Sequence, residues 1–113
     1  MDIADLLAFS VNQGASDLHL SAGVVPMLRI DGDMQRCDLP MLEAEQARGL
    51  IHSTMTDAQR GAFEAQHEAD FAYAVPGLGR FRVNAFEQQV DAEGHRVAGG
   101  HGVLQAVHLV VIA

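Results

Sequence analysis

The sequence predicts an α+β fold, an antiparallel sheet covered on one face by helices. Three observations predict it. Asp31-Gly32 separates two short extended runs, Arg80 to Ala85 returns with period two after a Pro-Gly turn, and apolar residues recur at helical spacing in two other stretches. Strands and helices ordered this irregularly favour segregated layers over a regular βαβ sheet.

The elements follow in order. Asp2 to Asn12 carries Ile3, Leu6, Leu7 and Val11 on one helical face, with Asp2 placed to cap its start and Gly14 to end it. Asp17 to Ser21 alternates, which turns Leu18 and Leu20 to one side of a strand and leaves the other side polar. Pro26 to Ile30 and Asp33 to Cys37 flank Asp31-Gly32, a dipeptide that accepts the positive φ of a two-residue hairpin loop. Beyond Pro40, the spacing of Leu42, Ala47, Leu50, Ile51 and Met55 gives a second helix. Thr56 and Gln59 read as a capping box that opens a third helix from Asp57 to His67. Asp70 to Val75 and Arg80 to Ala85 form a second hairpin around Pro76-Gly77-Leu78-Gly79. From Val90 to His101 the periodicity disappears among glycines, and the β-branched run Val103 to Ile112 suits one last strand.

Composition narrows the function. A chain of 113 residues, 49% apolar and 19% charged, fits one domain able to bury its own core. No run approaches the ~18 apolar residues of a membrane helix, and Met1-Asp2-Ile3 lacks the basic flank of a signal peptide, so a cytoplasmic location is expected. Net charge is −8, and all seven cationic residues are arginine. That sign opposes binding to a phosphate backbone, so no nucleic-acid partner is expected and a basic protein surface suits the chain better. A P-loop requires Gly-x-x-x-x-Gly-Lys, and there is no lysine in the chain, so no nucleotide hydrolysis is expected from it alone. Cys37, the only cysteine, can make neither an internal disulfide nor a cysteine zinc site.

Arg80, Arg82 and Asn84 share one face of their strand, while Phe81, Val83 and Ala85 face the core. Two guanidiniums about 7 Å apart along a strand suit a phosphate or a pair of carboxylates. The ordinary alternative is surface ion pairing with some of the fifteen acidic residues. His19, close to Asp17, reads either as a hydrogen-bonded strand histidine or as a polar contact residue. His95, His101 and His108 match no metal-ligand spacing, so no metal is expected. Asp31 and Asp33 resemble the start of a calcium loop, but Leu42 stands where its glutamate belongs. Ser10, Ser16, Ser21 and Ser53 lack a nucleophile setting. Met27, Met34, Phe81 and Phe86 suit either core packing or the lining of a ligand pocket, and Val107 to Ile112 suits edge pairing with a second chain.

Four blocks together carry a family resemblance. Met1 to Ser10, Gly14 to Gly23 with its Ser-Asp-Leu-His-Leu-Ser-Ala-Gly core, Pro26 to Asp33, and Arg80 to Phe86 resemble the twitching-motility, or PilT-like, retraction ATPases of type IV pili. Related type II secretion ATPases share looser versions, and the likeness runs to about Gln88. The resemblance implies a PAS-like amino-terminal domain over residues 1–98, followed by a divergent tail over residues 99–113 with the RecA-like ATPase domain absent. An excised piece, a shifted reading frame or a stand-alone relative would each account for that. It further implies a homo-hexamer in which this domain packs on the ATPase domain of a neighbouring subunit, peripheral to the inner membrane and linked indirectly to the pilus platform. Full-length relatives use ATP and Mg, whereas this chain alone is expected to bind neither. Arg80 and Arg82 match family arginines that lie near the nucleotide in trans, with Asp17, His19 and Asn84 as further interface candidates. Arg96 is a weak substitute for a family arginine missing from the tail. The alternative is a stand-alone PAS-like module that senses a ligand or dimerises.

Overall fold

Alternating side-chain directions sort the chain into one sheet with a dry face and an open face. The computed structural model describes residues 2–93 and 95–112, and for residues 101–105 the backbone path alone. The elements are α1 (Ile3–Asn12), β1 (Asp17–Leu20), β2 (Met27–Ile30), β3 (Asp33–Arg36), α2 (Ala44–His52), α3 (Asp57–Gln66), β4 (Glu68–Val75), β5 (Gly79–Val90) and β6 (His101–Val111). The six strands lie in the order β3-β2-β1-β6-β5-β4, and every neighbouring pair is antiparallel. The expected α+β architecture is therefore present.

Local chemistry sets most boundaries. At α1 the Asp2 carboxylate accepts from the Asp5 N–H at 2.8 Å, satisfying a donor that the helix itself leaves unpaired. The box at α3 is reciprocal: Thr56 Oγ1 accepts from the Gln59 N–H and Gln59 Oε1 from the Thr56 N–H. Between β2 and β3, Asp31 and Gly32 have φ of 51° and 85°, the double positive that a two-residue hairpin joining Ile30 to Asp33 requires.

One continuous core lies between the helices and the sheet. Leu18 and Leu20 of β1, Phe81, Val83 and Ala85 of β5, and Val107 and Leu109 of β6 are buried against Leu6 and Leu7 of α1, Ala47 and Ile51 of α2, and Phe63 of α3. Glu87 extends the inward alternation of β5 and brings a carboxylate to a position 4% exposed. It is matched there by Arg48 Nη2 at 3.1 Å and His67 Nδ1 at 2.9 Å, so the charge is paired on both oxygens. His67 ends α3 in the left-handed conformation at φ 62°, and its carbonyl accepts from the Glu87 N–H.

Two expectations need correction. β4 begins at Glu68, and β5 runs on to Val90, because its ladder to β6 continues past Ala85 after a register step between Phe86 and Glu87. The Val107 to Ile112 run offers no edge for a second chain: β6 is paired with β1 on one side and β5 on the other, so its backbone groups are already satisfied.

Phe63 is 0% exposed, and its ring meets His52 edge-on at 6.2 Å. Phe63→Ala is expected to lower unfolding free energy by about 3–5 kcal/mol in a urea titration, through lost transfer energy and the cavity left behind. His52 is held below its ordinary 6.5 by burial first and by the charges of Arg60 and Arg48. The unfolded chain therefore takes up a proton that the folded chain resists. Stability should be full above about pH 6.5 and fall as pH drops through the folded value, and His52→Gln should flatten that part of the slope in urea titrations at a series of pH values.

Candidate functional site

The alternation that buries Phe81, Val83 and Ala85 turns Arg80, Arg82, Asn84 and Phe86 to the face that no helix covers. Register extends this face across the sheet. Asp70 of β4 stands opposite Asn84, Asn84 opposite His108 of β6, and His108 opposite His19 of β1. A parallel row runs from Arg82 through Val110 to Asp17 and on to Arg29 of β2. Four of the chain's seven arginines, Arg29, Arg36, Arg80 and Arg82, share the face. In a molecule of net charge −8, the bare side of the sheet thus holds four arginines against three carboxylates, Asp17, Glu68 and Asp70.

The two candidate arginines differ in engagement. Arg82 is bidentate to Asp70, with Nε to Oδ1 at 3.1 Å and Nη2 to Oδ2 at 2.8 Å, the fork geometry that suits guanidinium and carboxylate. Arg80 is exposed and has no side-chain partner among the described residues. Ion pairing thus accounts for Arg82 and leaves Arg80 available. A shallow cavity of about 470 Å³ beside them is lined in part by Glu68, Asp70, Asn84, Phe86 and His108.

At the centre of the face Asp17, His19 and His108 gather. Asp17 Oδ1 is hydrogen-bonded to His108 Nε2, and Asp17 Oδ2 accepts from Ser16 Oγ at 2.5 Å. Burial pushes the Asp17 carboxyl up, but the hydrogen bonds from Ser16 and His108, with the charges of His108 and His19, outweigh it and hold the group below its ordinary value. His19 stacks on His108 with ring centres 4.3 Å apart and planes within 12°. Its Nε2 is buried without a hydrogen-bond partner among the described residues, so this nitrogen does not serve as an anchor in the strand. Burial first, and then the charge of His108, lower the His19 pKa.

The open face brings together all five residues singled out from the sequence, Asp17, His19, Arg80, Arg82 and Asn84. It also adds one that spacing arguments missed. His108 was weighed with His95 and His101, whereas the sheet places it beside Asp17, 91 positions away in sequence. The His101 side chain lies outside the described residues. The four proposed pocket residues do not share a cavity: Phe81 is buried in the core, and Met27, Met34 and Phe86 lie on the opposite face. The larger groove, about 480 Å³, is lined by Leu6, Pro26, Leu39, Met41 and Leu50 among others. Cys37 is half-buried, and burial raises its thiol pKa. No helix of the described residues is long and apolar enough to cross a membrane.

No protein-family model matches the chain. Among curated proteins it is 60% identical over 88 residues to the type IV pilus retraction ATPase PilT of Pseudomonas aeruginosa, covering 78% of this chain and 26% of that one. It is 40% identical over 84 residues to a twitching motility protein of Neisseria gonorrhoeae, covering 74% of this chain and 22% of the relative. Among solved structures, the pilus retraction motor PilT with bound ADP superposes on the whole chain with a TM-score of 0.77 at 32% identity, over 29% of its own length. The Legionella pneumophila ATPase DotB shares the fold with a TM-score of 0.75 at 20% identity.

These findings define an amino-terminal domain of the secretion ATPase superfamily. Within that class the chain belongs to the twitching-motility, PilT-like retraction ATPase family. It spans about a quarter of the length of the curated relatives it matches.

The hydrogen bond from Arg82 holds the Asp70 carboxyl below its ordinary 3.8. In a carbon-detected NMR titration Asp70 is expected to have its midpoint below that value, and Arg82→Ala should move the midpoint upward.

Proposed function

We propose that this chain is a non-catalytic interaction domain of a type IV pilus retraction motor. Its open sheet face docks on the RecA-like ATPase domain of a neighbouring subunit in a homo-hexamer and offers Arg80 and Arg82 to the nucleotide bound there. The observation that carries this reading is the pairing of an exposed, uncommitted Arg80 with a chain that holds no lysine to build a P-loop. A guanidinium reaching across a subunit boundary stabilises charge on the γ-phosphate without any covalent chemistry of its own. ATP and Mg would be held by the partner domain. Asp17, His19 and Asn84 would contribute polar contacts around the arginines.

On this reading the motor is cytoplasmic, lies peripheral to the inner membrane and reaches the pilus platform only indirectly. On the same reading residues 1–98 carry the family-like, PAS-like sequence and residues 99–113 the divergent stretch, whose β6 completes the same sheet. Arg82 would exchange Asp70 for a phosphate, an exchange that solvent exposure of the pair makes inexpensive. A stand-alone ligand sensor is the alternative, and the groove lined by Leu6, Met41 and Leu50 would be its site.

The test mixes the chain with the isolated ATPase domain of the Pseudomonas aeruginosa relative. Binding by calorimetry, with ATP turnover raised by the chain and that rise lost in Arg80→Ala, is the expected outcome. Turnover by the chain alone, or turnover insensitive to both arginines, would overturn the proposal.

A further inference from the structure

We propose that Asp17, His19 and His108 form a binding site for a divalent transition-metal ion of the zinc type. The site shares the open face with the docking role above, but the observations that carry it do not rest on that role. It starts from strand geometry. Side chains two apart on one strand and one directly opposite on its neighbour converge on a single patch, because the first pair share a face and the cross-strand pair are about 5 Å apart. Asp17 and His19 are such a pair on β1, and His108 is the residue opposite His19 on β6. One ligand atom from each lies within 4.8 Å of the other two.

The donor set is the second support. Two imidazoles and one carboxylate suit zinc and its first-row neighbours, and three protein ligands leave a further position open to water or to another molecule. An outer shell is already in place, since Ser16 Oγ donates to the carboxylate oxygen that does not face His108. Third, His19 Nε2 is a buried acceptor or donor with nothing to bond among the described residues, and a metal would satisfy it.

The arrangement seen without an ion also tells what binding must change. Near-parallel rings aim their nitrogen lone pairs in parallel planes, so a shared ion requires one ring to turn out of the stack. His19 is the ring that turns, because its Nε2 gives up no hydrogen bond in doing so. His108 exchanges its contact with Asp17 for a metal bond through Nε2, the neutral ring then carrying its proton on Nδ1. Arg29, whose Nε is 3.9 Å from Asp17 Oδ2, opposes the ion electrostatically and sets an upper limit on affinity.

The experiment titrates the 113-residue chain with Zn²⁺ by calorimetry and with Co²⁺ by visible absorption. One tight equivalent is expected, weakened about tenfold or more by His19→Ala, by His108→Gln and by Asp17→Asn, and unaffected by His95→Ala. The last variant tests the exposed loop cluster of Asp91, Glu93 and His95, the other group that could attract an ion among the described residues. Proton NMR of the unaltered chain supplies a readout that does not depend on how the variants fold: Zn²⁺ should shift the His19 and His108 imidazole signals together. Absence of stoichiometric binding, unmoved signals from those two rings, or loss of binding in His95→Ala would each overturn the proposal.

Discussion

Strand β6 holds the sheet in one piece. Its ladders to β1 and to β5 are the pairings that join the β3-β2-β1 half to the β5-β4 half. Without it both halves would present open edges, and the residues that make the open face interesting would lie on separate fragments: Asp17, His19 and Arg29 on one, Arg80, Arg82 and Asn84 on the other. The inner face depends on the same strand. Val107 and Leu109 supply the apolar surface between Leu18 and Leu20 on one side and Val83 and Phe81 on the other. A single central strand therefore sets both the continuity of the core and the composition of the exposed face.

Much of the fold was legible because its signals are local. Asp31-Gly32 specified a hairpin through the backbone angles it tolerates, Thr56 and Gln59 marked a helix start through two hydrogen bonds three residues apart, and the alternation of β5 assigned Arg80 and Arg82 outward without knowledge of any partner strand. The position of β6 was not legible in the same way. A β-branched run declares itself a strand but not its neighbours, so an edge and a centre look alike until pairing is known. His108 illustrates the consequence, since its relation to Asp17 exists only through the β1–β6 register. The proposed pocket failed for a parity reason that the sequence did contain: Phe81 and Phe86 are an odd number apart on one strand and so face opposite sides.

Glu87 shows how a functional-looking feature can be purely architectural. A buried carboxylate flanked by a histidine and an arginine has the composition of an acid-base site, yet the three groups come from three elements: Arg48 from α2, His67 from the left-handed end of α3, and Glu87 itself from β5. Pairing on both oxygens removes the cost of burying the charge and fixes how α2 and α3 seat on the sheet. The arginine face has the opposite character. Its Arg82–Asp70 pair is exposed to solvent and its Arg29–Asp17 contact is long, so these pairings contribute little to stability.

That contrast argues that the open face is shaped by what it meets and not by what it stabilises. Glu87 is satisfied from within, whereas Arg80 and His19 Nε2 on the open face, like His52 Nε2 on α2, retain bonding capacity that nothing among the described residues uses. The rows on this face place the Asp17, His19 and His108 cluster two strands from Arg82 at most, or about 10 Å at the spacing of neighbouring strands. At that distance a bound dication would reinforce the guanidiniums in drawing an anionic group to the face. An ion and a phosphate would then be coupled ligands, each tightening the other, and the strength of that coupling should fall with added salt because the whole face is open to solvent.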